Sequence, residues 1–190
     1  MQFMIKPPLV EPVSLDEVKK WLKIETQDED EILLTLIISA RLYIEQVTQS
    51  LLIKQSWKVI FTRFDEKGRF PIPLSPVLDL LELNLRYPDD TLQNLSLINV
   101  HVDKQNDQSY LLMPAQYRAL LSEEARFELD VSLGYGAAAL DVPAPLRTAH
   151  LMLISFWYEN RGDYSTHVNM SLIPSTITAI LSSFKSVRLA

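Results

Sequence analysis

The chain has 190 residues, 47% hydrophobic and 22% charged, with a net charge of −6 and no cysteine. That length fits one compact domain, or one domain with a sizeable insertion, and can bury roughly 70% of its unfolded surface without a covalent staple. The missing cysteines exclude disulfides, thiolate catalysis and Cys-based metal sites, and the acidic balance argues against tight nucleic-acid binding, which needs clustered Lys and Arg.

Residues 1–13 read as an extended arm, because Pro7, Pro8 and Pro12 hold the backbone out of helix. The first ten residues contain two of these prolines and lack a long apolar run, so no signal peptide is expected. Ser14 opens a first helix that ends near Lys23. Glu17 stands three residues on, the spacing of a capping box. Leu15, Val18, Trp21 and Leu22 form its apolar side. Asp28 or a neighbour caps a second, longer helix, whose first turn holds Glu29, Asp30 and Glu31, the sign the helix dipole favours. Ile32, Leu33, Leu36, Ile37, Ala40, Ile44 and Val47 follow the helical period to about Thr48.

From residue 54 to 133 the period changes to two. Trp57, Val59 and Phe61 alternate with Lys58, Ile60 and Thr62. The same alternation runs through Leu81, Leu83, Leu85 and Tyr87, through Val100 and Val102 around His101, and through Phe127, Leu129, Val131 and Leu133. Together with residues 108–113 this predicts about five strands in a small antiparallel unit, with turns at Lys67-Gly68, Pro88-Asp89-Asp90 and residues 103–107. Pro71, Pro73 and Pro76 mark an extended connector.

A Gly134-Tyr135-Gly136 turn and a Pro143/Pro145 entry precede a third long helix reaching Asn160, since proline suits the first helical turn. Leu146, Ala149, Leu153, Phe156 and Trp157 mark its apolar face. Arg161 and Gly162 supply the cation and the left-handed stop of a helix end. A last helix starts at Pro174, with Ile177, Ile180, Leu181 and Phe184 on one side. No stretch reaches about 18 uninterrupted apolar residues, so no membrane span is expected.

These elements predict an α+β chain that is mainly a helical bundle of about four helices, with a small antiparallel β unit inserted between the second and third long ones. The divisions are residues 1–53 (arm and first two helices), 54–133 (β-rich insertion) and 134–190 (central helix, last helix and tail), the outer two forming one helical core. Its structural core is expected at Trp21, Leu36, Ile44, Leu153, Phe156 and Trp157.

Charge is uneven: residues 1–53 hold five basic and nine acidic residues, 54–133 nine and twelve, and 134–190 four and three. From Tyr164 onward there is no acid, and Ser and Thr are frequent, so this end is expected to be weakly self-stabilising and to order fully only against a partner.

No constellation for catalysis emerges. His101, His150 and His167 have no ligand-spaced partners. His101 reads as a surface strand residue, His150 as a satisfied or exposed helix residue, and His167 as a loop residue. Four glycines in the whole chain leave no phosphate loop, and no G-x-S-x-G elbow occurs. Asp89, Asp90, Asp103 and Asp107 lack an EF-hand pattern and read as turn residues. Glu159 with Arg161 reads as a helix-end network, and the acidic residues 28–31 as helix-start electrostatics. No catalytic residue, metal ligand or cofactor is assigned.

Two stretches carry a family resemblance. Pro12-Val13-Ser14-Leu15-Asp16-Glu17-Val18-Lys19-Lys20-Trp21-Leu22, the acidic residues 28–31 and a long helix form the first. Gly134-Tyr135-Gly136, Val142-Pro143, the Leu/Ala-rich helix and Tyr158-Glu159-Asn160-Arg161 form the second. In order and spacing they resemble head–tail connector (adaptor) proteins of tailed bacteriophages and gene transfer agents. The resemblance covers both helical ends well and the middle loosely. It implies a structural, non-enzymatic virion protein made in the host cytoplasm. Its copies would form a ring, a dodecamer when assembled, between the portal protein and the next neck, stopper or tail ring, with double-stranded DNA passing through unbound. It also implies portal contacts at the C-terminal end, at Phe184, Lys185, Val187, Arg188 and Leu189. Two alternatives stay open: an unrelated α+β enzyme or small-ligand binding protein with a site of scattered residues, and a stopper or tail-completion protein, against which the strong terminal helices argue.

Overall fold

The computed structural model describes residues 1–105, 108–121, 125–160 and 173–185. It divides into two compact units. Among the described residues one comprises 1–8 and 54–135, and the other 9–53 and 136–185.

The first unit is almost entirely β. A five-stranded antiparallel sheet has the order β1-β2-β8-β4-β5. Its strands are β1 (Gln2–Lys6), β2 (Gln55–Phe61), β4 (Val77–Arg86), β5 (Leu92–Leu95) and β8 (Arg126–Leu133). A second antiparallel sheet, ordered β3-β7-β6, contains β3 (Arg69–Pro71), β6 (His101–Gln105) and β7 (Gln108–Leu112). A single helical turn, α3 (Ala115–Arg118), precedes β8. One face of the large sheet is apolar: Val59, Phe61, Leu83, Leu85, Phe127, Leu129, Val131 and Leu133 are buried. Phe61 of β2 stacks on Phe70 of β3 at 3.9 Å between ring centres and on Phe127 of β8 at 5.3 Å, so aromatic packing ties the two sheets together. The opposite face is a charged carpet. Lys58 lies 2.9 Å from Asp130 and 3.5 Å from Glu128, and Arg86 pairs with the same Glu128. The hydrogen bond from Arg86, with the positive charges of Arg86 and Lys58, holds the Glu128 carboxyl below the usual range despite its burial.

The second unit is helical: α1 (Leu15–Leu22), α2 (Asp30–Thr48), α4 (Ala144–Glu159) and α5 (Ser175–Ser182). Helix α2 packs on α1, α4 and α5, and α4 also touches α1 and α5. The shared core contains Val18, Leu33, Ile37, Ala40, Ile44, Leu146, Ala149, Leu153, Ile154, Ile177 and Leu181, none more than 1% exposed.

This architecture corrects the expected fold class. The chain has five helices and two antiparallel sheets, with 35% helix and 29% strand among the described residues, so it is not mainly a helical bundle with a small β insertion. Among the described residues eight strands form where about five were expected from alternation. The additional ones are β1, β3 and β5, each five residues or shorter. Within the extended N-terminal arm, Gln2–Lys6 is an edge strand paired antiparallel to β2, a pairing the sequence reading did not include. Prolines 7 and 8 follow the end of that strand.

Candidate interaction surface

The second unit is held by a chain of polar clamps, some at helix ends and some from helix interiors. Ser14 Oγ accepts the Glu17 N–H at 3.2 Å while Glu17 accepts the Ser14 N–H at 2.8 Å, closing the capping box. Glu17 also takes the Arg147 guanidinium of α4, whose Nε donates to the Pro12 carbonyl at 3.0 Å. The Ser14 N–H, followed by Arg147, pulls the Glu17 carboxyl below its ordinary range. On α2, Arg41 donates to Glu11 at 2.8 Å and to Glu45 at 3.0 Å, and the other Glu45 oxygen accepts the Leu52 N–H at 2.9 Å. Burial nevertheless leaves the Glu45 carboxyl raised. His150 of α4 is fully buried, with Nε2 2.9 Å from the Ile37 carbonyl. Burial depresses its pKa to about 4, so the ring is neutral at pH 7 and Nε2 is the protonated nitrogen that donates. Lys19 of α1 reaches Asp30 at 2.7 Å, and the Tyr158 hydroxyl of α4 donates to Glu29. The acidic start of α2 is thus partly consumed by internal pairing.

These clamps frame an apolar groove of about 590 Å³ on the second unit. Val10, Val13, Leu15, Leu34, Ile38 and Ala138 line it, with Glu11 and Glu17 at its rim. The Ala137–Ala139 wall follows a tight turn. The Ala138 N–H donates to Asp141 Oδ2 at 2.8 Å, and a Cβ on Gly136 would lie 2.2 Å from that carboxylate oxygen, so only glycine fits there. Leu34, Ile38 and Leu42 continue the groove's apolar character along α2 as a ridge at four-residue spacing, 48%, 44% and 53% exposed.

The residues singled out by sequence lie as follows. Ile44 and Leu153 are completely buried. Leu36, Phe156 and Trp157 are half-buried, and Trp157 meets Tyr43 edge-on at 5.8 Å. Trp21 is corrected: it is 48% exposed, because α1 turns only Val18 fully inward. Phe184 is half-buried just past α5, its N–H donating to the Leu181 carbonyl at 3.1 Å, and Lys185 is exposed. Val187, Arg188 and Leu189 lie outside the described residues, as do Asp107, Arg161, Gly162 and His167. His101 is exposed on β6, and Asp89 accepts the Thr91 N–H at 3.0 Å within a turn. Glu159 accepts from Ser155 at 3.5 Å. Among the described residues no group of His, Cys, Asp or Glu could hold a metal ion, and no helix is long and apolar enough to cross a membrane. The α2 ridge was hidden from sequence reading because the apolar residues of α2 extend beyond one face, with Leu34, Ile38 and Leu42 outside the side that the helical period marks. Only the packing of α1, α4 and α5 decides which side stays open.

Comparison with known proteins finds the resemblance independently. The family model for phage gp6-like head-tail connector proteins matches residues 12–84. No curated protein matches the chain. Among solved structures, a chain from the neck of an empty gene transfer agent particle, computed with C6 symmetry, superposes with a TM-score of 0.82 at 18% identity, covering 100% of this chain and 97% of its own. A chain from the virion of a native gene transfer agent particle gives 0.81 at 20% identity, again over 100% and 97%. A third, from the neck of a native particle computed with C12 symmetry, gives 0.73 at 19% identity over 99% and 97%.

Proposed function

We propose that this chain is a head–tail connector subunit, a structural component of a phage-like neck. The observation that carries this reading is the whole-chain likeness, both units included, to chains of gene transfer agent necks, alongside the connector family match over residues 12–84. Copies of the chain form a ring, a dodecamer when assembled, that joins the portal protein to the neck or tail. The work of such a subunit is geometric. Its polar networks are structural clamps, and it holds neighbouring rings in register rather than transforming a substrate. Double-stranded DNA passes through the channel without a grip, because a body carrying net charge −6 repels a duplex more than it binds one.

The portal is contacted by the C-terminal end, through Phe184, Lys185, Val187, Arg188 and Leu189. That end follows α5, which is anchored to the helical unit by buried Ile177 and Leu181, and it offers cations without competing acids from Tyr164 onward. The subunit is assembled in the host cytoplasm and ends in the virion at the capsid–tail junction. Copurification with a portal protein from the same genome tests this reading. The full chain should be retained by tagged portal, and removal of residues 185–190, which spares α5 and Phe184, should abolish retention without changing the circular dichroism spectrum. Undiminished retention of the truncated chain removes the tail from the contact, and no retention of the full chain overturns the connector assignment.

A further inference from the structure

The groove on the helical unit has two properties that together restrict what can fill it. It is apolar where it is open, and the α2 ridge leading into it leaves Leu34, Ile38 and Leu42 about half exposed in a row. Soluble chains rarely leave such a continuous ridge uncovered unless it is an interaction surface. Its charged rim is already satisfied from within, since Glu11 is paired with Arg41 and Glu17 with Arg147. An occupant therefore finds apolar area and no free charge, which selects against nucleic acid and against a strongly charged peptide.

The chain itself supplies a matching segment. Edge strand β1 exposes Phe3, Met4 and Ile5 by 46%, 48% and 40%, three consecutive large apolar side chains on a strand whose described pairing is with β2 alone. A closed ring of identical copies requires each copy to present two different surfaces, one received by the next copy around. Similar chains belong to necks computed with sixfold and twelvefold symmetry.

We propose that the α2 groove of one copy seats the apolar β1 strand of a second copy, and that this is the repeating contact of the ring. The inference rests on the connector reading above. The absence of native cysteine makes it directly testable. The variants Met4→Cys and Ile38→Cys, both at exposed positions, are made in the full chain, singly and together, and assembled on the portal protein. They are then treated with a short bis-maleimide. Each single variant alone should stay monomeric on a denaturing gel, their mixture should give a dimer, and the double variant should give a ladder of rising multiples. A portal-docked assembly with no mixed dimer, or self-dimers of Ile38→Cys, overturns the groove contact while leaving the connector reading intact. If the chain does not dock on portal, the connector reading falls. The same cross-linking of the concentrated free chain then decides the contact, a ladder supporting it and monomers refuting it.

Discussion

Replacing Arg41 by methionine isolates the clamp that fixes the N-terminal segment and the end of α2 to one another. The Arg41 and Glu45 side chains are 9% and 8% exposed, and Glu45 also receives the Leu52 N–H. Methionine keeps most of the aliphatic volume but leaves the Glu45 charge buried without its guanidinium. Breaking a buried pair from one side costs about 3–5 kcal/mol. The pH dependence has a definite sign. The Glu45 carboxyl already sits above its ordinary 4.5 because burial outweighs the Leu52 N–H and Arg41, and losing Arg41 raises it further. A carboxyl raised in the folded state favours folding below its unfolded value, and that contribution disappears as pH climbs through the folded value. The penalty of Arg41→Met should therefore be largest near neutrality and shrink toward pH 4.5. Adding Glu45→Gln removes the stranded charge and keeps an acceptor for Leu52, so the double variant should recover about half of the loss or more. Guanidinium unfolding followed by the helical circular dichroism signal at neutral and mildly acidic pH measures all three. A neutral-pH loss under about 1 kcal/mol, or a double variant no more stable than the single, would refute the clamp.

Further predictions follow from the same unit. His150 titrates at 6.5 when unfolded and at about 4 when buried, so it contributes up to about 3 kcal/mol above pH 6.5 that is lost as pH falls toward 4. His150→Gln, which can still donate to Ile37, should flatten that part of the stability–pH curve, and an unchanged slope would exclude His150 as its source. Leu153→Ala removes a completely buried side chain and should cost about 2–5 kcal/mol, against less than about 1 kcal/mol for the exposed Trp21→Ala. Equal losses in denaturant would contradict the packing described. Ser14→Ala should lower stability by about 1 kcal/mol by opening the capping box, read as a small drop in melting temperature, and no drop would mean that the box contributes nothing.

The helical half was legible in the sequence because its signals are local. Ser14 with Glu17, the period from Ile32 to Val47, and the Pro143/Pro145 entry each act within one or two turns, and α1, α2 and α4 begin and end close to those marks. The β half was less legible because strand pairing is not local. Gln2–Lys6 finds its partner fifty or more residues away, and no pattern in the arm itself announces that. Leu81 shows the same limit at single-residue scale. It continues the alternation with Leu83 and Leu85, yet it is 48% exposed, because the register of β4 against β8 breaks between Leu80 and Glu82 and reverses the facing. Trp21 failed differently: helical spacing places it on the same side as Val18, but among the described residues it is covered only in part and stays 48% exposed. The α2 ridge was missed for the converse reason: apolar residues on α2 extend beyond the side that carries Leu33, Ile37, Ala40 and Ile44, and only the packed structure shows that Leu34, Ile38 and Leu42 remain open.

Electron microscopy of the full chain mixed with a portal protein from the same genome tests the account most directly. A ring of this chain stacked on the portal, with an open axial channel, is the predicted image. Portal particles with bare faces beside dispersed monomers would contradict it.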